Sequence, residues 1–232
     1  MNKIESFITS LYPGTEITEK IFFPSKKNQV TKLILAEKSK TFSVICKFFV
    51  WGSAEKEETV LNECLKKEIA VPKVIKRHEN ILLLESLPGR AICLQDIFSS
   101  SNQINTKLLE DIAAWLYKFH QSFKKNETTL LKGDMRPHNF ILSDNDIFGI
   151  DFEESSRGDY MEDIAEMSAT LCEIEINKRK VFSTKASNIF SQKYFELSGE
   201  EIRNFKELII NCLQKRKAYS DVKALDYFYI SN

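Results

Sequence analysis

Two neighbouring segments, LKGDMRPHNFIL (residues 131–142) and FGIDFE (residues 148–153), decide how this chain folds and what chemistry it can carry. An acid and an amide, Asp134 and Asn139, lie five residues apart in the first segment, and a second acid, Asp151, lies in the other. Phosphoryl transfer needs one carboxylate to orient or deprotonate the attacking hydroxyl, and oxygen ligands for the divalent cation that neutralises phosphate charge. We therefore expect Asp134 to act as the base, and Asn139 and Asp151 to bind Mg²⁺.

Each of these residues alone would indicate no more than a turn, because Asp and Asn are common in loops. Their surroundings favour a site. The apolar runs 140–142 and 147–150 flank the turn-forming residues 143–146, which is typical of a small β-hairpin. An acid, an amide and a second acid at this spacing beside apolar strands is a far more specific pattern than a single turn residue.

The rest of the second half is predicted to be mainly helical, because its apolar residues recur at helical spacing. Thr106 is predicted to cap a first helix that reaches Phe123, and Asp159 to cap another that reaches Ile174. The sequence SGEE (residues 198–201) has the capping-box pattern and predicts one more helix behind it.

The first half alternates short apolar runs with polar turns, which predicts an antiparallel sheet. Strands are predicted at four such runs: 21–23, 30–36, 42–50 and 81–85. One helix is predicted from Ala54 to about Lys67, with Ser53 as its cap. The Pro88-Gly89 pair and a change of composition place a lobe boundary near residues 86–90.

A lysine interrupts the apolar run 42–50. Lys47 lies where a strand lysine that clamps phosphate oxygens should lie, and an exposed strand residue is the alternative. Such a lysine needs a glutamate partner, and Glu57, Glu58 and Glu63 all lie on the predicted helix. Glu57 is preferred because it shares the apolar face of that helix.

These motifs resemble those of the aminoglycoside phosphotransferase and choline-kinase-like branch of the protein-kinase-like fold. That family carries H-G-D-x-x-x-x-N, then D-[FW]-E, then R-G-D-x-x-x-D-[IL]-A. The corresponding segments of this chain occur in the same order, at residues 132–139, 151–153 and 157–165. Residues 81–89 resemble the family's hinge, and residues 115–120 resemble a helix of the family that ends in histidine.

The resemblance implies an α+β, two-lobed fold with an antiparallel-sheet N-terminal lobe (residues 1–88) and a mainly helical C-terminal lobe (residues 89–232). It implies ATP and Mg²⁺ as cofactors. The implied site has adenine against the backbone near Glu85 and Leu87, phosphates held by Lys47 with Glu57, the metal on Asn139 and Asp151, and Asp134 as the catalytic residue. His120 and His138 are expected to have structural roles.

Three departures from the family pattern bear on catalysis. Lys132 replaces the usual histidine, and would either rearrange contacts behind the catalytic loop or add a cation near the transferred phosphate. The turn at residues 24–29 has no glycine, so close backbone approach to phosphate would be harder, and the side chain of Lys26 or Asn28 could substitute for it. The chain after Glu175 is short, which favours an open acceptor site.

Charge and composition exclude several classes of protein. Lys and Arg number 33, as do Asp and Glu, so the chain lacks the basic excess of nucleic-acid or anionic-membrane binders. No stretch reads as a signal peptide or a membrane span, which predicts a cytoplasmic protein.

The five cysteines are odd in number and widely spaced, which argues against disulfides and zinc. Residues 144–175 include eleven acids and a single cation, Arg157, which indicates either a site for metal ions or cationic ligands or an ordinary solvated acidic face.

The sequence therefore predicts an ATP- and Mg²⁺-dependent phosphotransferase that acts on a hydroxyl of a small molecule. An amino sugar, an aminoglycoside or an amino alcohol would suit the acidic second half. Two alternatives remain at this stage: a compact protein serine/threonine kinase, and a nucleotide-binding protein without catalysis, which Lys132 and the glycine-free turn motivate. The acceptor, the preferred nucleotide and the oligomeric state do not follow from the sequence.

Overall fold

The structure, a computed structural model, describes residues 3–38, 40–99, 103–144, 146–176, 179–182, 184–200 and 205–215. The chain forms two compact units. The first comprises Met1–Pro88 and Ile150–Glu153, and the second comprises Gly89–Gly149 and Glu154–Asn232. The short segment with Asp151 therefore belongs to the first unit, although most of its sequence neighbours belong to the second.

A five-stranded sheet forms the first unit, in the order β1-β2-β3-β5-β4, and every neighbouring pair is antiparallel. The elements are, in chain order, α1 (Lys3–Leu11), β1 (Glu16–Phe23), β2 (Gln29–Glu37), β3 (Lys40–Phe48), α2 (Ala54–Lys66), β4 (Val74–His78) and β5 (Ile81–Glu85). The predicted antiparallel sheet with one following helix is confirmed, and so is the expected α+β class.

The two faces of this sheet differ because strand side chains alternate. One face carries the buried core, which consists of Leu33, Leu35, Val44, Cys46, Ile81 and Leu83 with Phe7 and Ile8 of α1 packed on them. Lys47 lies on the opposite face, in a cross-strand row with Phe23, Val30 and Leu82. Helix α1 was not predicted from the sequence, although its apolar residues Ile4, Phe7, Ile8 and Leu11 recur at helical spacing.

Helix α2 has the N-terminus that the sequence predicts. The Ser53 side chain accepts a hydrogen bond from the Lys56 backbone N–H at 3.2 Å, which satisfies one of the free donors of the first turn. Its buried face consists of Ala54, Glu57, Val60, Leu61 and Cys64. A carboxylate in that list is unusual, because an ionised group is rarely buried without a partner.

Helices dominate the second unit. Its elements are β6 (Arg90–Ala91), α3 (Leu94–Ile97), α4 (Thr106–Phe123), β7 (Thr129–Leu131), a 3₁₀ turn (Pro137–Asn139), β8 (Phe140–Ser143), β9 (Asp146–Gly149), β10 (Ser156–Gly158), α5 (Met161–Cys172), β11 (Glu173–Ile176), β12 (Arg179–Phe182), α6 (Thr184–Ser198) and α7 (Phe205–Lys215). β8 and β9 pair antiparallel, which confirms the predicted hairpin.

Close packing holds this hairpin against α4. A Cβ atom added at Gly149 would lie 2.3 Å from the Trp115 ring, so only glycine lets the strand approach the helix so closely. Trp115 also contacts the Phe140 ring edge-on, with centroids 5.3 Å apart. The hairpin that follows the catalytic motif therefore rests directly on the helical core.

Two predicted helix ends differ from the structure, and a third lies partly outside the described residues. The side chain that caps α4 is Asn105, which accepts from the Leu108 N–H at 3.2 Å, and Thr106 is the first helical residue. Asp159 does accept from the Met161 N–H at 3.0 Å, as expected of a cap, but α5 ends at Cys172. The predicted continuation to Ile174 is wrong, because residues 173–176 pair as a strand with residues 179–182. The capping box at 198–201 extends outside the described residues.

Among the residues that the structure describes, no helix combines the length and apolarity needed to cross a lipid bilayer. All five cysteines are free thiols, as their number and spacing predict.

Candidate active site

The Lys47 ammonium of β3 is the centre of a charged cluster in the first unit. Its Nζ lies 2.7 Å from Glu57 Oε2, 2.5 Å from Asp151 Oδ1 and 3.3 Å from Glu153 Oε2. Lys47 is 6% exposed and Glu57 1%. Lys47 is therefore a buried, paired cation, and the alternative of an exposed strand residue is wrong.

Helix geometry explains why Glu57 is the partner of Lys47. Successive residues on a helix differ by about 100° in direction, so Glu57 and Glu58 cannot face the same way. Glu58 pairs with Arg77 at 2.5 Å, and Glu63 pairs with Lys66 at 2.7 Å at the surface. Of the three candidate glutamates, the one that bonds Lys47 is therefore Glu57.

Burial and charge act in opposite directions within this cluster. Burial alone would lower the pKa of Lys47, but the charges of Glu57 and Asp151 outweigh it, so the pKa is raised and the ammonium stays charged. Burial raises the pKa of Glu57, and the Lys47 charge offsets part of that rise. Each member thus depends on the other for its ionised form.

Carboxylates outnumber cations in the cluster, which suits a divalent metal. One oxygen from each of Glu57, Asp151 and Glu153 lies within 4.8 Å of the others, against the single ammonium of Lys47. Hard divalent cations prefer such oxygen ligands. Glu153 was not predicted from the sequence as a metal ligand or as a partner of Lys47. Its position two residues after Asp151, in the same short motif, is the signal that could have identified it.

The glycine-free turn between β1 and β2 is held by the buried side chain of Asn28. Its Oδ1 accepts from the backbone N–H groups of Val50 and Trp51 at 2.9 and 3.0 Å, and its Nδ2 donates to Glu153 Oε2. These bonds occupy Asn28 Oδ1 and one of the two Nδ2 hydrogens, and they link the turn to the residues after β3 and to the acidic motif. Phosphate contact by the side chain of Lys26 or Asn28 stays a prediction.

Two residues of the predicted catalytic loop, Asp134 and Asn139, meet in the second unit. Asn139 Nδ2 donates to Asp134 Oδ2 at 2.9 Å and to the Asp134 carbonyl at 2.8 Å. The Arg136 guanidinium lies 2.9 Å from Asp134 Oδ1. Arg136 was not predicted from the sequence as a site residue. The signal that could have identified it is a cation two residues after the candidate base.

Both acids that the sequence singled out have left-handed backbone conformations, with φ of +29° at Asp134 and +62° at Asp151. Such values are uncommon outside glycine, and they concentrate at functional sites, where the surrounding contacts enforce them. Gly133 has φ +68°, and a Cβ there would lie 2.8 Å from the Glu154 carbonyl oxygen, so no other residue fits.

Helix α5 holds the catalytic loop from behind with three side chains at helical spacing. Asp163 accepts from the N–H groups of Lys132 and Gly133 at 2.6 and 3.0 Å. One turn later Glu166 accepts from Met135 N–H at 3.3 Å, and the Thr170 hydroxyl lies 3.3 Å from the Met135 carbonyl and 2.9 Å from the Glu166 carbonyl of its own helix. Residues four or fewer apart on one helix face thus fix the loop backbone on both sides of Asp134.

Lys132 lies inside the second unit with 0% exposure, and its Nζ lies 5.4 Å from the centre of the Phe140 ring. Of the two roles considered for Lys132, the structure favours rearranged contacts behind the loop over a cation beside the transferred phosphate. His120 is also buried and is bonded to Asp163 and Tyr194. His138 lies in the 3₁₀ turn that ends at Asn139.

The two residues expected near adenine follow the sheet of the first unit. Glu85 ends β5, and its backbone N–H donates to the Lys73 carbonyl at 2.9 Å, so that donor is not available to a base. Leu87 lies in the loop just after the strand. Of the predicted site residues, the structure therefore brings Lys47, Glu57 and Asp151 together in the first unit, and Asp134 and Asn139 together in the second.

The fold and these two clusters define a class: the chain has the protein-kinase-like fold. The family model described as "RIO domain" matches residues 23–187, and the chain belongs to that kinase-like family. Comparison of the sequence with curated proteins finds no match.

Solved structures with this fold include small-molecule kinases. An ethanolamine kinase of Plasmodium vivax aligns with TM-score 0.68 and 16% identity, over 94% of this chain and 82% of that one. A choline kinase of Cryptosporidium parvum aligns with TM-score 0.64 and 13% identity, over 90% and 85%. An amicoumacin kinase solved with AMP-PNP and Ca²⁺ aligns with TM-score 0.64 and 12% identity, over 94% and 87%. Aminoglycoside phosphotransferases share the fold too, so the expected protein-kinase-like fold is confirmed.

Proposed function

We propose that the chain is an ATP- and Mg²⁺-dependent phosphotransferase that transfers the γ-phosphate to a hydroxyl group of a small molecule. The observation that carries the proposal is the buried Lys47–Glu57 pair with Asp151 bonded to the same ammonium. A buried lysine held by a glutamate in this way is the recurring phosphate clamp of kinase-like enzymes. A cytoplasmic location, where ATP is supplied, is part of the proposal.

Each site residue has a role in this proposal. Lys47, oriented by Glu57, binds the α- and β-phosphates. Asp151 and Asn139 ligate Mg²⁺, which neutralises the phosphate charge, and Asp134 orients the acceptor hydroxyl and takes its proton. Arg136, bonded to Asp134, adds a cation beside the reacting groups.

The nucleotide base would pack on the Lys47 face of the sheet. Val30 pairs with Lys47 across the strands, and Ile45 lies two residues before Lys47, so all three side chains lie on that face. Both apolar side chains are only half-buried, so they offer apolar surface to a flat ring. The Glu85 carbonyl and the Leu87 backbone would then supply the polar contacts of adenine.

Similar structures support the choice of cofactor and acceptor class. The amicoumacin kinase was solved with AMP-PNP and Ca²⁺, which supports a nucleotide and a divalent cation here. The ethanolamine and choline kinases are named for amino alcohols, which supports a small cationic acceptor. The RIO domain match favours a second candidate, a protein serine/threonine kinase.

An ADP-release assay with separate acceptor sets tests the proposal. Purified protein with ATP and Mg²⁺ is given choline, ethanolamine, aminoglycosides or a mixture of protein substrates, with Asp134→Asn as the inactive control. Release of ADP that depends on a small hydroxyl compound supports the proposal, and phosphoserine or phosphothreonine formation supports the second candidate. Nucleotide binding by calorimetry without Mg²⁺-dependent turnover with any acceptor, or with water, would mean a non-catalytic nucleotide-binding protein.

A further inference from the structure

A buried chain of hydrogen bonds runs from helix α6 to the catalytic loop. The Tyr194 hydroxyl lies 2.8 Å from His120 Nδ1, and His120 Nε2 lies 3.0 Å from Asp163 Oδ2. Asp163 in turn accepts from the backbone N–H groups of Lys132 and Gly133, immediately before Asp134. Tyr194, His120 and Asp163 are 1%, 2% and 2% exposed.

The bonding partners determine where the protons lie. An ionised carboxylate only accepts hydrogen bonds, so His120 must carry a proton on Nε2 to bond Asp163. A ring that carries its one proton on Nε2 has an acceptor at Nδ1, and the Tyr194 hydroxyl is then the donor that satisfies it. Burial raises the pKa of Tyr194, which keeps that hydroxyl protonated.

We propose that Tyr194 is a positioning residue for the catalytic loop. Its hydroxyl holds His120 in the form protonated on Nε2, and that N–H fixes the Asp163 carboxylate that holds the loop backbone. The catalytic consequence rests on the proposed function, whereas the effect on loop order does not. The family match covers residues 23–187, so Tyr194 lies outside the matched region.

The tyrosine ring is held independently of its hydroxyl. It stacks on Tyr160 with centroids 5.8 Å apart and an interplanar angle of 15°, and Tyr117 meets it edge-on at 5.7 Å. Tyr194→Phe therefore keeps the ring packing and removes only the hydrogen bond. Tyr117→Phe removes a hydroxyl from the same aromatic cluster but not from the hydrogen-bond chain, and is the matched control.

Amide hydrogen exchange is the first measurement, because it needs no substrate. In Tyr194→Phe we expect the Lys132 and Gly133 amides to exchange about tenfold faster, which is what loss of one buried hydrogen bond supporting them would produce. In the same variant, the exchange rates of the amides in the β8–β9 hairpin should change less than twofold. In Tyr117→Phe, the exchange rates of Lys132, Gly133 and the hairpin amides should all change less than twofold. Unchanged exchange at Lys132 and Gly133, or an equal increase throughout the second unit, would overturn the proposal.

Two further readouts separate this proposal from the proposed function. Nitrogen-15 spectra of the His120 ring should show the proton on Nε2 in the unaltered protein, and a proton on Nδ1 with Nε2 bare would refute the assignment. If the protein turns over ATP, Tyr194→Phe should lower kcat several-fold with KM for ATP unchanged, because Tyr194 contacts no nucleotide in the proposal. If it has no turnover, the exchange and ring measurements still decide the role of Tyr194.

Discussion

Removal of Lys47 should destabilise the protein far more than neutralisation of its partner Glu57. In Lys47→Met, Glu57 remains buried at 1% exposure without the Lys47 ammonium, and the carboxylates of Asp151 and Glu153 lie close to it. Breaking a buried pair in this way costs about 3–5 kcal/mol. In Glu57→Gln, the Lys47 ammonium keeps Asp151 at 2.5 Å and Glu153 at 3.3 Å, so the loss should be only about 1–2 kcal/mol.

These costs are measured by urea unfolding at pH 7 of four proteins: the unaltered protein, the two single variants and the double variant. The double variant Lys47→Met/Glu57→Gln removes the stranded carboxylate and should recover about 2 kcal/mol relative to Lys47→Met alone. A Glu57→Gln variant as unstable as Lys47→Met, or a double variant with the summed cost of both, would refute the reasoning.

Acid should partly rescue Lys47→Met. Burial already raises the pKa of Glu57, and loss of the Lys47 charge removes the effect that holds it down, so the pKa should rise further. A carboxyl with a higher pKa folded than unfolded takes up a proton on folding, so its contribution to stability grows as the pH falls from the folded pKa towards the unfolded one. The deficit relative to the unaltered protein should therefore be smaller at pH 5 than at pH 8, and an equal deficit would contradict this explanation.

Three further changes test the site. Asp134→Asn should lower kcat by about 10²–10⁴-fold with unchanged ATP affinity, and activity within threefold of the unaltered protein would exclude Asp134 as the base. Asp151→Asn should lower turnover at saturating Mg²⁺ at least about tenfold while circular dichroism shows an intact fold; more than a tenth of the normal rate would contradict a metal role. Asn28→Asp keeps the acceptor for Val50 and Trp51 but places a carboxylate against Glu153, so urea unfolding should show a loss of about 1–3 kcal/mol; no loss would exclude the Asn28–Glu153 link.

Local features were predictable because nearby residues cause them. The Ser53 cap, the start of α2 and the β8–β9 hairpin follow from residues a few positions apart, and all three agree with the structure. The errors are also local. Asn105 and Thr106 are both good caps, and backbone geometry that no pattern reveals selects Asn105. The apolar residues after Cys172 fit a helix or a strand equally well, and pairing with residues 179–182 selects the strand.

The amino-acid sequence alone identified the chemical groups of the candidate site: a strand lysine, an acid with an amide five residues later, and a second acid near a hairpin. Their spacing along the chain is enough for that, since each motif is short. Contacts between distant positions depended on packing instead. The orientation of α2 selected Glu57 over Glu58 and Glu63 as the partner of Lys47. Folding also brought the Asn28 side chain to the backbone N–H groups of Val50 and Trp51. Helix α6 brought Tyr194 to His120, which is 74 residues away along the chain. Such contacts form only where folding closes long loops and buries both partners, and no local pattern encodes which partners will meet.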